Sequence, residues 1–427
     1  MFNTNIFDVN KDLIEIEKVI DEKQGLTKKI LFEKYIAMYN VTKEYIQEKN
    51  LILYGGLALN MILPKSKRFY DEYELPDYDF FSFDSKTHAK ELADKYHKLG
   101  YNYIEVKPGI HYETYKVYVD FQPVADITDI PIKLFNHLLE ISLEERSTLL
   151  KNNSNIDINI APLSFLRLAF HVELSRPDGY IERWPKIYKR MALFYNTYPL
   201  YYKQCENIFV KEPNERVQDL TKVVLNYSKI HGFPVFGLEA IKIYLNQSKI
   251  KGITENDIFD ESMPRIELIS TDYKQTSTNI KMLLESMINN DEKVVLKFHS
   301  ALNKSELIPK HFIISLISSD NVSRPVCIIY NSQACYSYKI IEGVNILTID
   351  AMLSMMYASI FTARTYYNID KIKCAINLLL NVQYKNLKSK SYIWKRFDLL
   401  CYGVQPQIED VKRKRWNSKK TFRIYRP

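Results

Sequence analysis

The chain has 427 residues, 46% hydrophobic and 26% charged, with 11 Gly and 16 Pro. That composition excludes fibrous and largely disordered classes and leaves length for two or three packed domains. The net charge of +8 is compatible with a polyanionic partner, and the absence of any 18-residue apolar run predicts no membrane span. Met1 to Lys11 has no basic stretch followed by an apolar run, so secretion is not indicated. Cys205, Cys327, Cys335, Cys374 and Cys401 lack paired spacing, which predicts reduced thiols in an intracellular compartment. The 32 tyrosines fit the bias of an AT-rich coding sequence and do not by count mark a stacking surface.

In chain order, Asn10–Lys23 and Thr27–Lys49 read as amphipathic helices. Leu51–Tyr54 is a short apolar run ending a buried strand. Gly55-Gly56 then permits a sharp turn or close backbone approach, and Leu57–Leu63 opens a helix whose free N–H groups suit an anion. Pro76-Asp77-Tyr78-Asp79-Phe80-Phe81-Ser82 reads as a strand. Lys86–Leu99 is a helix ending at Gly100. Tyr101–Val106 and Tyr115–Phe121 are strands parted by Pro108-Gly109, and Pro123–Ile127 is a third. Leu163–Leu174 and Trp184–Tyr195 carry helical periodicity around a turn at residues 175–179.

The second half echoes the first. Val235-Phe236-Gly237-Leu238-Glu239-Ala240-Ile241 answers Leu53–Leu59, and Met263–Asp272 answers Leu75–Asp84 without a gap. Val344–Ile346 with the helix Ile349–Phe361 answers Ile158–Ile160 and Leu163–Leu174, and Lys371–Leu379 answers Lys186–Phe194. The shared order argues for a duplicated domain. Where the first copy has Asp77 and Asp79, the second has Arg265 and Glu267, so the second copy is expected to be catalytically silent. The domains read as 1–199, catalytic with a helical segment; 200–400, a degenerate copy; and 401–427, a basic tail.

Side chains at i and i+2 of a strand share a face, roughly 7 Å apart. Two carboxylates so placed repel unless a cation lies between them, which is what divalent-metal phosphoryl transfer requires. Asp-X-Asp alone is a common surface pattern; the proline before it, the aromatics after it and the Gly-Gly helix start upstream make Asp77 and Asp79 the leading catalytic and metal-binding candidates. A third carboxylate is needed from a neighbouring strand. Asp126, between small neighbours, is favoured over Asp120, with Asp129 behind both. Gly55 and Gly56 could cradle a triphosphate, and Lys65, Lys67 and Arg68 precede the acidic strand. No P-loop, nucleophile elbow or His-Glu-x-x-His run occurs. Lys412, Arg413, Lys414, Arg415 and Trp416 could grip an RNA backbone and stack a base, although basic tails are more often solvated.

These segments resemble the polymerase-β-like nucleotidyltransferase superfamily, in which a Gly-Gly or Gly-Ser helix start precedes Asp-X-Asp and a later Asp. More narrowly, the chain is similar to the catalytic subunit of poly(A) polymerases of large cytoplasmic DNA viruses, the poxvirus, African swine fever virus and giant-virus (mimivirus-like) group. Thr114–Val119, Ala125–Thr128, Pro162–Arg167 and Leu174–Pro177 add to the likeness. It implies an α+β fold: a nucleotidyltransferase domain with a helical segment, then a degenerate duplicate. It also implies template-independent addition of AMP from ATP to the 3′ end of viral mRNA with two Mg²⁺ or Mn²⁺ ions. Asp77, Asp79 and Asp126 would be the metal ligands, and Gly55 and Gly56 would bind phosphate. Leu57 departs from the Ser many members place after Gly-Gly. Partners implied are an RNA primer and ATP, with a homodimer or a processivity factor beside it, and the location implied is the host cytoplasm, in the viral factory, and the virion. Other readings are a nucleotidyltransferase acting on a small molecule or protein, and a non-catalytic RNA-binding scaffold.

Overall fold

The computed structural model describes residues 9–109, 114–152, 156–200, 214–248, 263–300, 307–362, 366–405, 410, 413 and 424–426. By contact the chain forms two compact units. The first comprises residues 1–130, 139–161 and 418–427, and the second comprises 131–138 and 162–417. The helical stretch after Pro162 thus shares its packing with the second unit. Among the described residues no helix is long and apolar enough to cross a membrane.

The first unit opens with α1 (Val9–Glu48), a single 40-residue helix where the sequence suggested two. Gly25 costs a helix about 1 kcal/mol, too little to break one that runs on through good formers on both sides. Met38, Tyr39, Thr42, Tyr45 and Ile46 of its second half are buried. Leu13, Ile16, Val19, Ile20 and Leu26 of its first half, and Ile30 just beyond, are exposed and fall on one side of the helix. There follow β1 (Ile52–Tyr54), α2 (Gly55–Ile62), β2 (Asp79–Ser82), α3 (Ser85–Lys98), β3 (Ile104–Pro108), β4 (Thr114–Val119), β5 (Gln122–Asp129), α4 (Ile132–Asn152) and β6 (Asn159–Ile160).

The second unit contains α5 (Leu163–Leu174), α6 (Trp184–Thr197), α7 (Glu215–His231), β7 (Val235–Phe236), α8 (Leu238–Gln247), β8 (Ile266–Ser270) and α9 (Tyr273–Glu285). It continues with β9 (Lys293–His299), β10 (His311–Ile317), β11 (Ser323–Asn331), β12 (Tyr336–Ile341), β13 (Val344–Leu347), α10 (Ile349–Ile360), α11 (Ile369–Lys385) and β14 (Cys401–Tyr402). The last strand, β15 (Ile424–Arg426), belongs to the first unit's sheet, pairing with β3.

The sheets run β15-β3-β4-β5-β2-β1-β6 and β14-β12-β13-β7-β8-β11-β10-β9. Their centres correspond strand for strand. β1 and β7 pair antiparallel with β2 and β8 and parallel with β6 and β13. β2 and β8 pair parallel with β5 and β11, each of which continues into an antiparallel pair. Even the helix cap repeats. Asp84 accepts from the Thr87 amide at 3.2 Å and itself donates through its backbone to Ser82 Oγ at 2.9 Å; Asp272 does the same with Gln275 at 3.2 Å and Ser270 at 3.1 Å. The duplication read from four sequence echoes is present in the topology.

The expectation of reduced thiols is corrected. Cys335 and Cys401 form a disulfide between β12 and β14, with Cα atoms 5.3 Å apart. Antiparallel pairing of Tyr336 with Tyr402 and Ser337 with Cys401 brings together residues 66 apart in sequence, which no spacing rule would reveal. Cys327 is free and buried.

The second unit is keyed by a buried charge. Asp350, in the first turn of α10, receives Arg396 through Nε at 2.9 Å and Nη2 at 2.8 Å, and His171 Nδ1 of α5 lies 2.8 Å from it. Burial would raise the Asp350 carboxyl, but the Arg396 and His171 interactions outweigh it and hold the group well below the usual range. Burial pushes the His171 imidazole down, so a neutral ring donates to Asp350 and accepts from Tyr195, 2.8 Å away. Replacing Arg396 by Ala leaves this carboxylate buried without its main partner. The expected cost is about 3–5 kcal/mol, read as a lower midpoint in urea unfolding followed by circular dichroism.

Candidate active site

One rung of the first sheet gathers the residues singled out from the sequence. Tyr54 of β1 pairs with Asp79 of β2, and Asp79 pairs on its other side with Asp126 of β5, so neighbouring backbones lie about 4.8 Å apart. The Asp126 amide donates to the Tyr78 carbonyl at 2.9 Å, and the Asp79 amide to the Asp77 carbonyl at 3.2 Å. The second bond closes a three-residue turn of the kind common at strand starts. Asp77 therefore stands just before β2, exposed, rather than on a regular strand face with half-buried Asp79.

Tyr54 reports where the three acids point. Its ring stacks on Phe81 at 4.0 Å, and its hydroxyl lies 2.9 Å from Thr128 Oγ1. Burial pushes the phenol up, and Asp79, Asp126 and Asp77 all push it further. Tyr39 is likewise pushed up to about 12, by burial and then by Asp77. The fields of the three carboxylates thus overlap at the end of β1.

Gly55 follows at φ +75°, and a Cβ there would sit 2.6 Å from Asp79 Oδ2. Only glycine lets the chain turn into α2 against that carboxylate. Gly56 continues the first turn of α2. Asn60, which the sequence did not single out, accepts at Oδ1 from the Phe69 and Tyr70 amides at 2.9 and 3.1 Å and so ties the loop before Asp77 to α2.

Lys116 was also missed. It lies opposite Asp126 on β4, and its ammonium forms an ion pair with Asp126 Oδ2. Burial opposes its charge, but the bond to Asp126 and the fields of Asp126, Tyr118 and Asp77 hold it above its ordinary value. A cation is thus already balanced against the third carboxylate. An all-oxygen donor set with that balance fits a hard divalent ion. Asp120 and Phe121, at φ +47° and +64°, form the β4–β5 hairpin turn at the far end of the strand, away from the rung. Asp129 caps α3 instead, accepting from the Ser85 amide at 2.9 Å. In the tail, Arg413 is exposed and pairs with Asp410 at 2.7 Å; Lys412, Lys414, Arg415 and Trp416 lie outside the described residues. Among the described residues, one grouping of three His, Cys, Asp or Glu ligand atoms within 4.8 Å of one another is Asp178 with Cys335 and Cys401, whose sulfurs are already bonded to each other.

The same rung in the second unit reads Phe236, Glu267, Ile328. Gly237 keeps the turn at φ +78°, its Cβ position 2.9 Å from Glu267 Oε1. Arg265, in the place of Asp77, is buried and bonded to Glu239 at 3.2 Å. Glu267 accepts from the Tyr330 hydroxyl at 2.6 Å, which also meets Tyr367.

Comparison with known proteins accords with this geometry. Residues 40–178 match the family model described as "Poly(A) polymerase catalytic subunit". Over these residues the chain is similar to poly(A) polymerase catalytic subunits. The matched stretch includes Gly55, Gly56, Asp77, Asp79, Lys116 and Asp126. An Acanthamoeba polyphaga mimivirus protein named "Putative poly(A) polymerase catalytic subunit" is 24% identical over all of this chain and 78% of its own length. One of the same name from African swine fever virus (strain Badajoz 1971 Vero-adapted) is 30% identical over 47% of this chain and 40% of its own length. The crystal structure of the Megavirus polyadenylate synthase superposes with a TM-score of 0.80 at 20% identity, covering 100% of this chain and 87% of that one. At that identity the likeness speaks for the fold, and the α+β reading holds.

Burial pushes Glu267 up to about 7 from an ordinary 4.5. Its contribution to stability is complete below the unfolded value and is lost as pH rises through about 7. Glu267→Gln cannot titrate, so between pH 5 and pH 8 the wild type should lose stability relative to this variant by at most ~3 kcal/mol. Urea midpoints of both proteins across that range measure it.

Proposed function

We propose that the chain is a template-independent poly(A) polymerase that adds AMP from ATP to an RNA 3′ end. The observation that carries this reading is the rung Tyr54–Asp79–Asp126, with Asp77 one turn upstream and Gly55 against Asp79. Asp77, Asp79 and Asp126 would hold two Mg²⁺ or Mn²⁺ ions. When bound, such ions lower the pKa of an attacking hydroxyl and neutralise the triphosphate. The protein's own part is positional. β2 and β5 fix two carboxylates at one height, Gly55 leaves room beside them, and the amides of Gly55 and Gly56 at the start of α2 face the phosphates. Lys116 keeps the Asp126 carboxylate oriented and balanced. With three acids in place, no separate protein base is required.

The test is incubation with an oligo(A) primer and each NTP separately. Ladder formation with ATP, abolished by Asp77→Ala and by chelation of divalent ions and restored by Mg²⁺ or Mn²⁺, is expected. Incorporation surviving Asp77→Ala would remove the catalytic assignment. A single AMP transferred to a protein or small molecule, without primer extension, would favour the other nucleotidyltransferase reading.

We also propose that a second copy of this chain, rather than a separate processivity factor, covers the first half of α1. Its support is the apolar side formed by Leu13, Ile16, Val19, Ile20, Leu26 and Ile30, all exposed, which is the pattern of a helix–helix seam. Light scattering should give twice the chain mass, and one chain mass for the double variant Ile16→Lys, Ile20→Lys. A monomeric wild type rules the dimer out.

A further inference from the structure

The Cys335–Cys401 disulfide of the second unit has a carboxylate beside it. An Asp178 oxygen and the two sulfurs all lie within 4.8 Å of one another. The three residues come from separate segments: the turn between α5 and α6, the residue before β12, and the start of β14. Cys335 is buried, Cys401 half-buried and Asp178 exposed, so solvent and small ions reach the cluster past Asp178.

Backbone contacts that do not involve the disulfide hold each segment. The Ser337 amide donates to the Ser175 carbonyl at 3.0 Å, which docks the start of the turn on β12. The Gly179 amide donates to the Arg176 carbonyl at 3.0 Å and closes the turn around Asp178. On the other side, β14 pairs with β12, and the Tyr338 amide donates to the Leu400 carbonyl at 3.1 Å. Gly403, at φ +105°, then passes so near the loop before β12 that a Cβ there would run into the Ser332 side chain and the Ala334 carbonyl. Only glycine permits that approach, and it holds the neighbour of Cys335 against the end of β14. The convergence of the three side chains is thus built into the backbone rather than imposed by the sulfur–sulfur bond.

Two sulfurs and a carboxylate converging from three segments form a metal-ligand set once the sulfurs are reduced. Thiolates select Zn²⁺ over Mg²⁺ or Ca²⁺, whose ligands are oxygens. Around a tetrahedral Zn²⁺, about 2.3 Å from each sulfur, the two sulfurs stand about 3.8 Å apart. Cα atoms 5.3 Å apart allow that separation by side-chain rotation alone.

We propose that reduction turns this disulfide into a Zn²⁺ site whose protein ligands are Cys335, Cys401 and Asp178, with water in the fourth position. Two molecules of a low-molecular-weight thiol supply the electrons. The Sγ–Sγ bond breaks, each cysteine sulfur takes one proton, and the reductant leaves as its own disulfide. Zn²⁺ then displaces both thiol protons to solvent and takes the carboxylate as it stands. The ion links the same two strands as the disulfide and adds the turn after α5 to them.

The experiment reduces the full chain with a phosphine, removes the reductant without air, and titrates with Co²⁺ as a spectroscopic substitute and then with Zn²⁺. Reduced wild type should develop a sulfur-to-cobalt charge-transfer band that Zn²⁺ abolishes at one ion per chain, whereas the oxidised protein should show none. Metal held by carboxylates elsewhere gives no such band. Zn²⁺ should also raise the melting temperature of the reduced protein and leave that of the oxidised protein level. The double variant Cys335→Ser, Cys401→Ser should lose the band. Asp178→Ala, a change at an exposed position, should weaken Zn²⁺ binding more than about 10-fold, since losing even a partner behind a ligand costs that much. No band in the reduced wild type overturns the proposal. A band that persists in the double variant does so too, because it assigns the metal to other cysteines. Full affinity in Asp178→Ala removes the carboxylate and with it the three-ligand site.

Discussion

The register of β2 between β1 and β5 is the constraint on which the first unit's chemistry depends. Tyr54, Asp79 and Asp126 stand on one rung, and side chains alternate faces with a period of two. A slip of one residue on either side of β2 would turn one acid away from the other and replace it with Ile127 or Phe80. The register is secured by what lies on the opposite face. Phe80, Val124 and Ile127 are fully buried, so a slip would expose core to water at about 0.8 kcal/mol per methylene equivalent. The same hydrophobic pattern that folds the sheet thus sets the spacing of the acids.

The second unit shows what becomes of this rung when catalysis is not demanded of it. The positive-φ glycine remains, because the strand-to-helix turn needs it in either copy. The acids do not remain as an exposed group. Ile328 fills the place of Asp126 with core, Arg265 closes on Glu239, and Glu267 is drawn inward to two tyrosine hydroxyls. In the first unit Asp79 and Asp126 stand side by side on the rung, with Lys116 paired to Asp126. In the second, that polar grouping has been exchanged for burial. Retention of the glycine but not of the charges separates what the fold requires from what the chemistry requires.

The same distinction explains what was legible in the sequence. The glycines, the Asp-X-Asp and the order of the four echoes are local patterns with direct physical meaning, and the topology bears out the duplication. Favouring Asp126 over Asp120 rested on small flanking residues, and the hairpin geometry puts Asp120 in the turn. Lys116 escaped notice because its role exists only once the turn at Asp120-Phe121 fixes which residue faces Asp126. Asn60 escaped because its partners are backbone amides nine and ten residues on. The Cys335–Cys401 bond depends on a strand pair formed across 66 residues. α1 runs unbroken across residues 24–26, between the two helices read from the sequence, because a single glycine costs a long helix only about 1 kcal/mol.

Strain follows a related logic. A hairpin built for stability alone would place Asn-Gly or Asp-Gly at its tip, and this one already has Asp120 in the first position. Glycine at the second would give up only the stacking on Tyr103, since Phe121 is 80% exposed. The ring is therefore held at a position where folding gains little from it, next to a second exposed ring. In the core of the same unit, aromatic side chains such as Tyr96 and Phe80 are fully buried and their presence follows from packing. Phe121 and Tyr103 lack that explanation: they are exposed and stack on each other rather than on the core.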